Sequence, residues 1–223
     1  MKGEGRRSRP TIRDSRLSYE VAAWDRSLFL VGIDEVGRGP LAGPVVAAAV
    51  ALPIGHPGIL GVRDSKAISR AAERVAIAGA VRREARAIGI GAASVREIAE
   101  LNIRRATALA MQRALRRCLA RLEGAAAEVW VDGLAMPELD HPHTPLVKGD
   151  ALCHSIGAAA IVAKVTRDRL MERLAERHPA YGWASNVGYG SAAHLAALRR
   201  HGLTAHHREQ FCRGAVAPVS DGA

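Results

Sequence analysis

Cysteine, lysine and aromatic residues are all scarce in this chain of 223 residues. The three cysteines, Cys118, Cys153 and Cys212, are widely separated and form no C-x-x-C pair. That excludes a zinc ribbon and a disulfide framework and fits a reducing, cytoplasmic compartment. Eight aromatic residues are too few for a platform on which successive bases stack. No stretch approaches the ~18 uninterrupted apolar residues of a membrane span, and the basic, polar segment 1–16 is not followed by a signal-like apolar core. A soluble protein away from the membrane is therefore expected. Only four of the 32 basic residues are lysines. Three of these four, Lys66, Lys148 and Lys164, nevertheless fall inside short motifs, which suggests a specific need for an ammonium group there.

The charge that is present is lopsided. Thirty-two basic residues against 22 acidic ones give a formal charge of +10, which points towards a polyanionic partner, although a composition rich in arginine and alanine would give the same excess without one. With 48% hydrophobic residues the chain can bury one sizeable core, and one domain is preferred to two. The stretch around which the rest is organised is Val31-Gly-Ile-Asp-Glu-Val-Gly-Arg-Gly-Pro-Leu-Ala-Gly-Pro-Val-Val46. An apolar run ends there in Asp34 and Glu35 and passes into glycine and proline, the pattern of a buried strand that delivers charge to its end. Neighbouring strand residues point to opposite faces, so at most one of these carboxylates looks towards the core, where a cation or hydrogen-bond donors must offset its desolvation. A strand end with solvated acids remains the alternative. The glycines of Gly37-Arg38-Gly39 let a ligand approach the backbone, while the arginine offers a fork to phosphate.

Further along, Pro44–Leu52 reads as a second strand in a hairpin with the first. A Pro/Gly loop, 53–61, leads to Asp64-Ser65-Lys66 and to a helix capped by Ser69 and running to about Ala87. Ile88–Ser94 is expected as a third strand. Ser94 and Glu97 form a capping-box pattern that opens one long helix to about Leu122. On it Asn102 reads either as a group behind the site or at the substrate, or as a satisfied core amide. Glu128–Val131, ending at Asp132-Gly133, repeats the strand–acid–glycine pattern, and Leu146-Val-Lys-Gly-Asp150 gives it a third time. Acids at the ends of neighbouring strands converge on one crevice. Four carboxylates with little nearby sulfur or imidazole suit Mg2+ or Mn2+ and not zinc. His141 and His143 fit a solvated loop better than a metal site. A long helix, Ser155–Glu176, starts in small residues that allow close packing on a sheet. Gly188-Tyr189-Gly190 exposes a ring that could stack on a sugar or base, or pack on the core. A helix follows over 191–201. Residues 1–26 read as an irregular basic leader and 212–223 as an irregular tail, leaving 27–211 as the folded domain.

As an ordered set these motifs resemble ribonuclease HII, the type 2 ribonuclease H family. The resemblance runs from Gly32 to Phe211 and takes in Asp-Ser-Lys (64–66), Leu-Asn-Ile-Arg-Arg-Ala-Thr (101–107), Val-Asp-Gly (131–133), Val-Lys-Gly-Asp (147–150), Ala-Lys-Val-Thr-Arg-Asp-Arg-Leu-Met (163–171), Gly-Tyr-Gly-Ser (188–191) with His194, and His-His-Arg (206–208). It implies an α/β ribonuclease H-like fold: a mixed five-stranded sheet flanked by helices, with a helical C-terminal extension over about 178–211. It implies metal-dependent endonucleolytic cleavage of RNA in RNA/DNA hybrids and of single ribonucleotides embedded in duplex DNA, leaving 3′-hydroxyl and 5′-phosphate ends. Asp34, Glu35, Asp132 and Asp150 match the family's acids, which hold two divalent ions, Mn2+ or Mg2+. Gly37, Arg38 and Gly39 match its reader of the 2′-hydroxyl, and Tyr189 its stacker on the neighbouring deoxyribose. Lys66 and Lys164 are expected at the substrate, and a monomer is expected. The sequence departs from the family pattern at Ala99, Leu152, Cys153, His154, Gly157, Ala160 and Val187. Ribonuclease HIII, which carries an additional N-terminal domain, and a non-catalytic hybrid-binding module are the rival readings.

Overall fold

The apolar run before the first acids is β1, Phe29–Val36, at the centre of a five-stranded sheet ordered β3-β2-β1-β4-β5. In the computed structural model, which describes residues 15–62 and 70–216, β2 (Val45–Ala51) and β3 (Ala87–Ala93) extend β1 as an antiparallel meander. On the other side β4 (Ala127–Asp132) and β5 (Thr144–Leu146) run parallel to β1. β2 is all valine and alanine and is buried throughout, so helices can cover both of its faces.

One face carries α3 (Val95–Arg121), packed over Val31, Ile33, Ala47, Ala49 and Val131. The other carries α5 (His154–Arg177) and α2 (Ala71–Glu84), packed over Ala48 and Val50. The small residues at the start of α5 and the absent side chain of Gly32 let helix and strand touch. A Cβ on Gly32 would collide with the backbone of Ser155 and Ile156. At the other end of β1 the Arg167 side chain lies where a Cβ of Gly37 would stand. α5 therefore runs alongside β1 in the same direction, about 18 Å of helix matching about 17 Å of strand.

The third strand and its helix fit by the same means. The capping box forms, with Ser94 accepting from the N–H of Glu97 and the Glu97 carboxylate from that of Ser94. The long helix is not continuous, however. Asn102 sits at φ 68° and ψ 167°, exposed, and its Oδ1 accepts from the N–H groups of Arg104 and Arg105 at 3.0 and 3.2 Å. It is not a core amide but a cap that restarts the helix after a break. β3 is one edge of the sheet, and α3 closes it. Arg113, Arg117 and Arg121 donate to the carbonyls of Ala92, Ile90 and Ile88. Four residues of helix rise about 6 Å and two residues of strand about 6.6 Å, so the two spacings match.

Helix replaces irregular chain at both ends. Ser15–Leu17 form a turn of 3-10 helix and Ser18–Trp24 form α1. This segment is held because Glu20 is fully buried and its Oε1 accepts from Ser155 N–H at 2.7 Å and Cys153 Sγ at 3.2 Å. At the C-terminus α6 (Trp183–Asn186), α7 (Ala192–His201) and α8 (Glu209–Val216) form the extension. Cys212, assigned to the irregular tail on sequence, is fully buried with Trp183 and Leu198. Asp64, Ser65, Lys66 and Ser69 lie outside the described residues.

Candidate active site

The last parallel pair of β1 and β4 is Ile33 with Val131, so Asp34 and Asp132 are the next residues on two adjacent strands, about 4.8 Å apart in a sheet. Asp34 shares the face of Gly32, two positions earlier, and that face is covered by α5. The third acid arrives differently from expectation. Asp150 is not on a strand end but on α4, Gly149–Leu152, a single turn between β5 and α5. Asp132 fixes that turn, its Oδ1 accepting from Gly149 N–H at 2.7 Å and Asp150 N–H at 3.4 Å. A side chain at Gly149 would press on Ile156 and Asp132. Gly157, at one of the departures from the family pattern, leaves room for the Asp150 carbonyl.

Strand alternation puts Glu35 towards the α3 side, and its Oε1 accepts from Arg38 at 3.3 Å. The four acids nevertheless share one field. Burial first, then Glu35, Asp132 and Asp150, push the Asp34 carboxyl well above its ordinary value of 3.8. Burial also raises Glu35, against the pull of Arg38. Among the described residues no three acidic, imidazole or thiol groups are already drawn together as one ion's ligands. The acids are neighbours that repel one another, not a closed cage. Their donor chemistry, carboxylate oxygen only, fits hard divalent cations. His141 and His143 are taken up by their own loop. His143 Nε2 accepts from Met136 N–H at 3.0 Å, and its Nδ1 lies 2.8 Å from the His141 carbonyl.

Beyond the acids, the two glycine-flanked elements meet. Tyr189 is about half exposed, and its Cε1 would lie 3.8 Å from a Cβ on Gly39. Leu41 N–H donates to Gly188 O at 2.8 Å. Lys164 is one turn before Arg167 on α5 and pairs with Asp168 at 2.7 Å. Sequence reading gave no role to two arginines beneath these loops. Arg167 is fully buried and donates to Ala42 O, Pro44 O and Val187 O at 3.0, 3.0 and 2.9 Å. Arg208, nearly as buried, donates to Gly37 O, Arg38 O and Gly43 O at 2.6–3.0 Å. A signal for the first was available: Arg167 continues the apolar stripe Ile156, Ala160, Ala163 and precedes Met171, so it sits where a core residue belongs.

A family model described as Ribonuclease HII matches residues 31–214. The Ribonuclease HII of Sphingopyxis alaskensis is 54% identical over 191 residues, which cover 86% of this chain and 90% of that one. The Archaeoglobus fulgidus structure of a PCNA:RNase HII complex aligns with a TM-score of 0.61 and 26% identity, over 81% of this chain and 94% of that one. Bst-RNase HIII in complex with Mn2+ aligns with a TM-score of 0.67 over 86% of this chain but only 70% of its own, at 21% identity, a likeness of fold.

Proposed function

The chain belongs to the ribonuclease HII family and is a ribonuclease H acting on RNA/DNA hybrids, and from that premise we propose that it is a divalent-metal-dependent endonuclease that also cuts at single ribonucleotides embedded in duplex DNA. Asp34, Glu35, Asp132 and Asp150 would hold two Mg2+ or Mn2+ ions. The observation that carries this reading is the convergence of Asp34 with Glu35, Asp132 and Asp150, whose charges add to burial in raising the Asp34 carboxyl. Four acids beside a polyanionic strand oppose binding unless cations intervene. When bound, a pair of divalent ions would supply an activated water and stabilise the leaving oxygen.

The chain's own residues do the rest. Asp132 holds the Asp150 turn against β4. Gly37, whose missing side chain admits Arg167, and Gly39, whose missing side chain leaves the backbone open beside Tyr189, shape the segment that would hydrogen-bond a 2′-hydroxyl, which distinguishes RNA from DNA without reading the base. Tyr189 would stack on the following deoxyribose, and Arg38, Lys164 and Lys66 would face phosphates. Attack by water leaves 3′-hydroxyl and 5′-phosphate ends. The protein is proposed to act as a monomer in the cytoplasm. No helix among the described residues is long and apolar enough to cross a membrane.

The test is cleavage of a DNA duplex carrying one ribonucleotide, with Mg2+, with Mn2+ and with chelator. Metal-dependent cutting that yields ligatable 5′-phosphate ends is expected. Cutting that survives chelation, or that leaves a 2′,3′-cyclic phosphate, would overturn the proposal.

A further inference from the structure

The 37–44 loop and the 187–190 turn come from distant parts of the chain and meet through the Leu41 N–H to Gly188 O bond and a shared apolar cluster, and two guanidiniums beneath them bind six of their carbonyls. Arg167 reaches both, taking Ala42 O and Pro44 O on one side and Val187 O on the other. Arg208, from the segment before α8, takes Gly37 O, Arg38 O and Gly43 O. Among the described residues no carboxylate forms an ion pair with either, although the Asp168 charge, one residue along α5, favours the charged form of Arg167. Burial lowers both, Arg208 to about 10, and for Arg208 the neighbouring Arg167 adds to that fall. Two desolvated cations side by side are unfavourable for stability alone.

The turn that Arg167 holds is itself strained. Val187, β-branched, sits at φ 44° and ψ 33°, a region costly for such a side chain. The Arg167 bond to its carbonyl, and Asn186, whose Oδ1 accepts from Gly188 N–H at 2.9 Å, hold it there. Further on, Trp183 Nε1–H donates to His194 Nε2, and the other His194 nitrogen, Nδ1, lies 2.8 Å from the Tyr189 carbonyl.

We propose that Arg167 and Arg208 are positioning residues that set the spacing between the Gly37-Arg38-Gly39 backbone and the Tyr189 ring, and thereby the preference for an isolated ribonucleotide over a continuous hybrid. The inference rests on the assignment of those two elements to the ribose and to its deoxyribose neighbour. A lone ribonucleotide can satisfy both in a single register. A continuous hybrid presents a 2′-hydroxyl at every step of the RNA strand, so a small error in spacing can be absorbed by a shift in register.

Arg167→Lys and Arg208→Lys keep the charge and lose the fork that binds several carbonyls at once. The quantity to measure is the ratio of kcat/KM on a single-ribonucleotide duplex to kcat/KM on a uniform hybrid, which does not depend on the fraction of enzyme folded. Tyr189→Ala sets the scale for loss of the ring itself. The ratio should fall by about ten- to a hundredfold, the size expected from displacement of a positioned group by about 1 Å. It should fall through a raised KM on the single-ribonucleotide substrate, with kcat/KM on the hybrid little changed. A ratio equal to wild type in both lysine variants overturns the proposal, whatever their stability. Should both variants be insoluble, Asn186→Ala loosens the same turn from outside the buried pair, and an unchanged ratio there overturns it equally. Wild-type enzyme that fails to cut the single-ribonucleotide duplex would instead refute the functional reading on which the inference stands.

Discussion

Asp34 is the residue at which fold and chemistry are most directly opposed. It is buried, accepts a 2.7 Å bond from the next backbone N–H, and lies in the field of three other acids. Its folded-state value lies above the ordinary 3.8, so the folded protein without metal binds this proton more tightly than the unfolded chain does. Stability must then fall as pH rises from the ordinary value through the raised one, and level off above it. Asp34→Asn keeps an oxygen to accept the Glu35 N–H and removes the charge. Without divalent ions the variant should therefore melt a few degrees higher than wild type at neutral pH, a gain of order 1 kcal/mol for a domain of this size. The difference should shrink towards acid. Added Mn2+ should stabilise wild type more than the variant, and cleavage by the variant should be lost. Melting curves with chelator across the pH range decide it: a variant less stable than wild type at neutral pH would mean that hydrogen bonding at Asp34, not repulsion, dominates.

At the scale of elements, α3 does two jobs that its sequence shows unequally. Its amphipathic spacing and its capping box were legible because both are local patterns. The break at Asn102 was not, because an asparagine inside an apolar periodicity looks the same whether it caps a new helix or hides in a core. Asp150 was recognised by its neighbours but assigned to a strand end, since Val-Lys-Gly-Asp does not reveal that β5 stops at Leu146 and a single helical turn follows. α1 was missed because what holds it is distant in sequence: Glu20, whose partners lie more than 130 residues away, and Ala23, buried against Leu30, Cys153 and Ile156. The arginine ladder was invisible for a related reason: only the position of β3 at the sheet edge gives Arg113, Arg117 and Arg121 carbonyls to bind. A free edge invites pairing with another chain. Arg117→Ala combined with Arg121→Ala should expose acceptors on β3, cost about 1–3 kcal/mol, and promote concentration-dependent association on warming. Arg116→Ala removes a like charge from the next position on the helix and serves as the comparison. Light scattering and melting of the two proteins side by side would refute the edge-guard role if they behaved alike.

For the whole molecule the question is where the +10 charge acts. Much of it is engaged within the fold. Arg113, Arg117 and Arg121 bind β3, Arg167 and Arg208 bind loop carbonyls, and Arg104 pairs with Glu138 at 2.7 Å. Net charge therefore overstates the cations available to phosphate, and the salt dependence of binding should report a smaller number. Each phosphate neutralised contributes about −0.9 to the slope of log K against log salt on B-form duplex. Asp34→Asn provides a background in which substrate is not consumed. On that background Lys164→Ala should make the slope shallower by about one unit, because Lys164 lies on α5 one turn from the 37–44 loop and its present partner, Asp168, is on its own helix. Arg116→Ala should leave the slope nearly unchanged, since α3 covers the opposite face of the sheet from α5. Arg117 is a poor control here, because its removal also frees the Ile90 carbonyl. Fluorescence anisotropy over a salt series with a labelled duplex gives both slopes directly. Equal changes for Lys164 and Arg116 would mean that the chain attracts nucleic acid by its overall field, with no phosphate contact reserved for the α5 face.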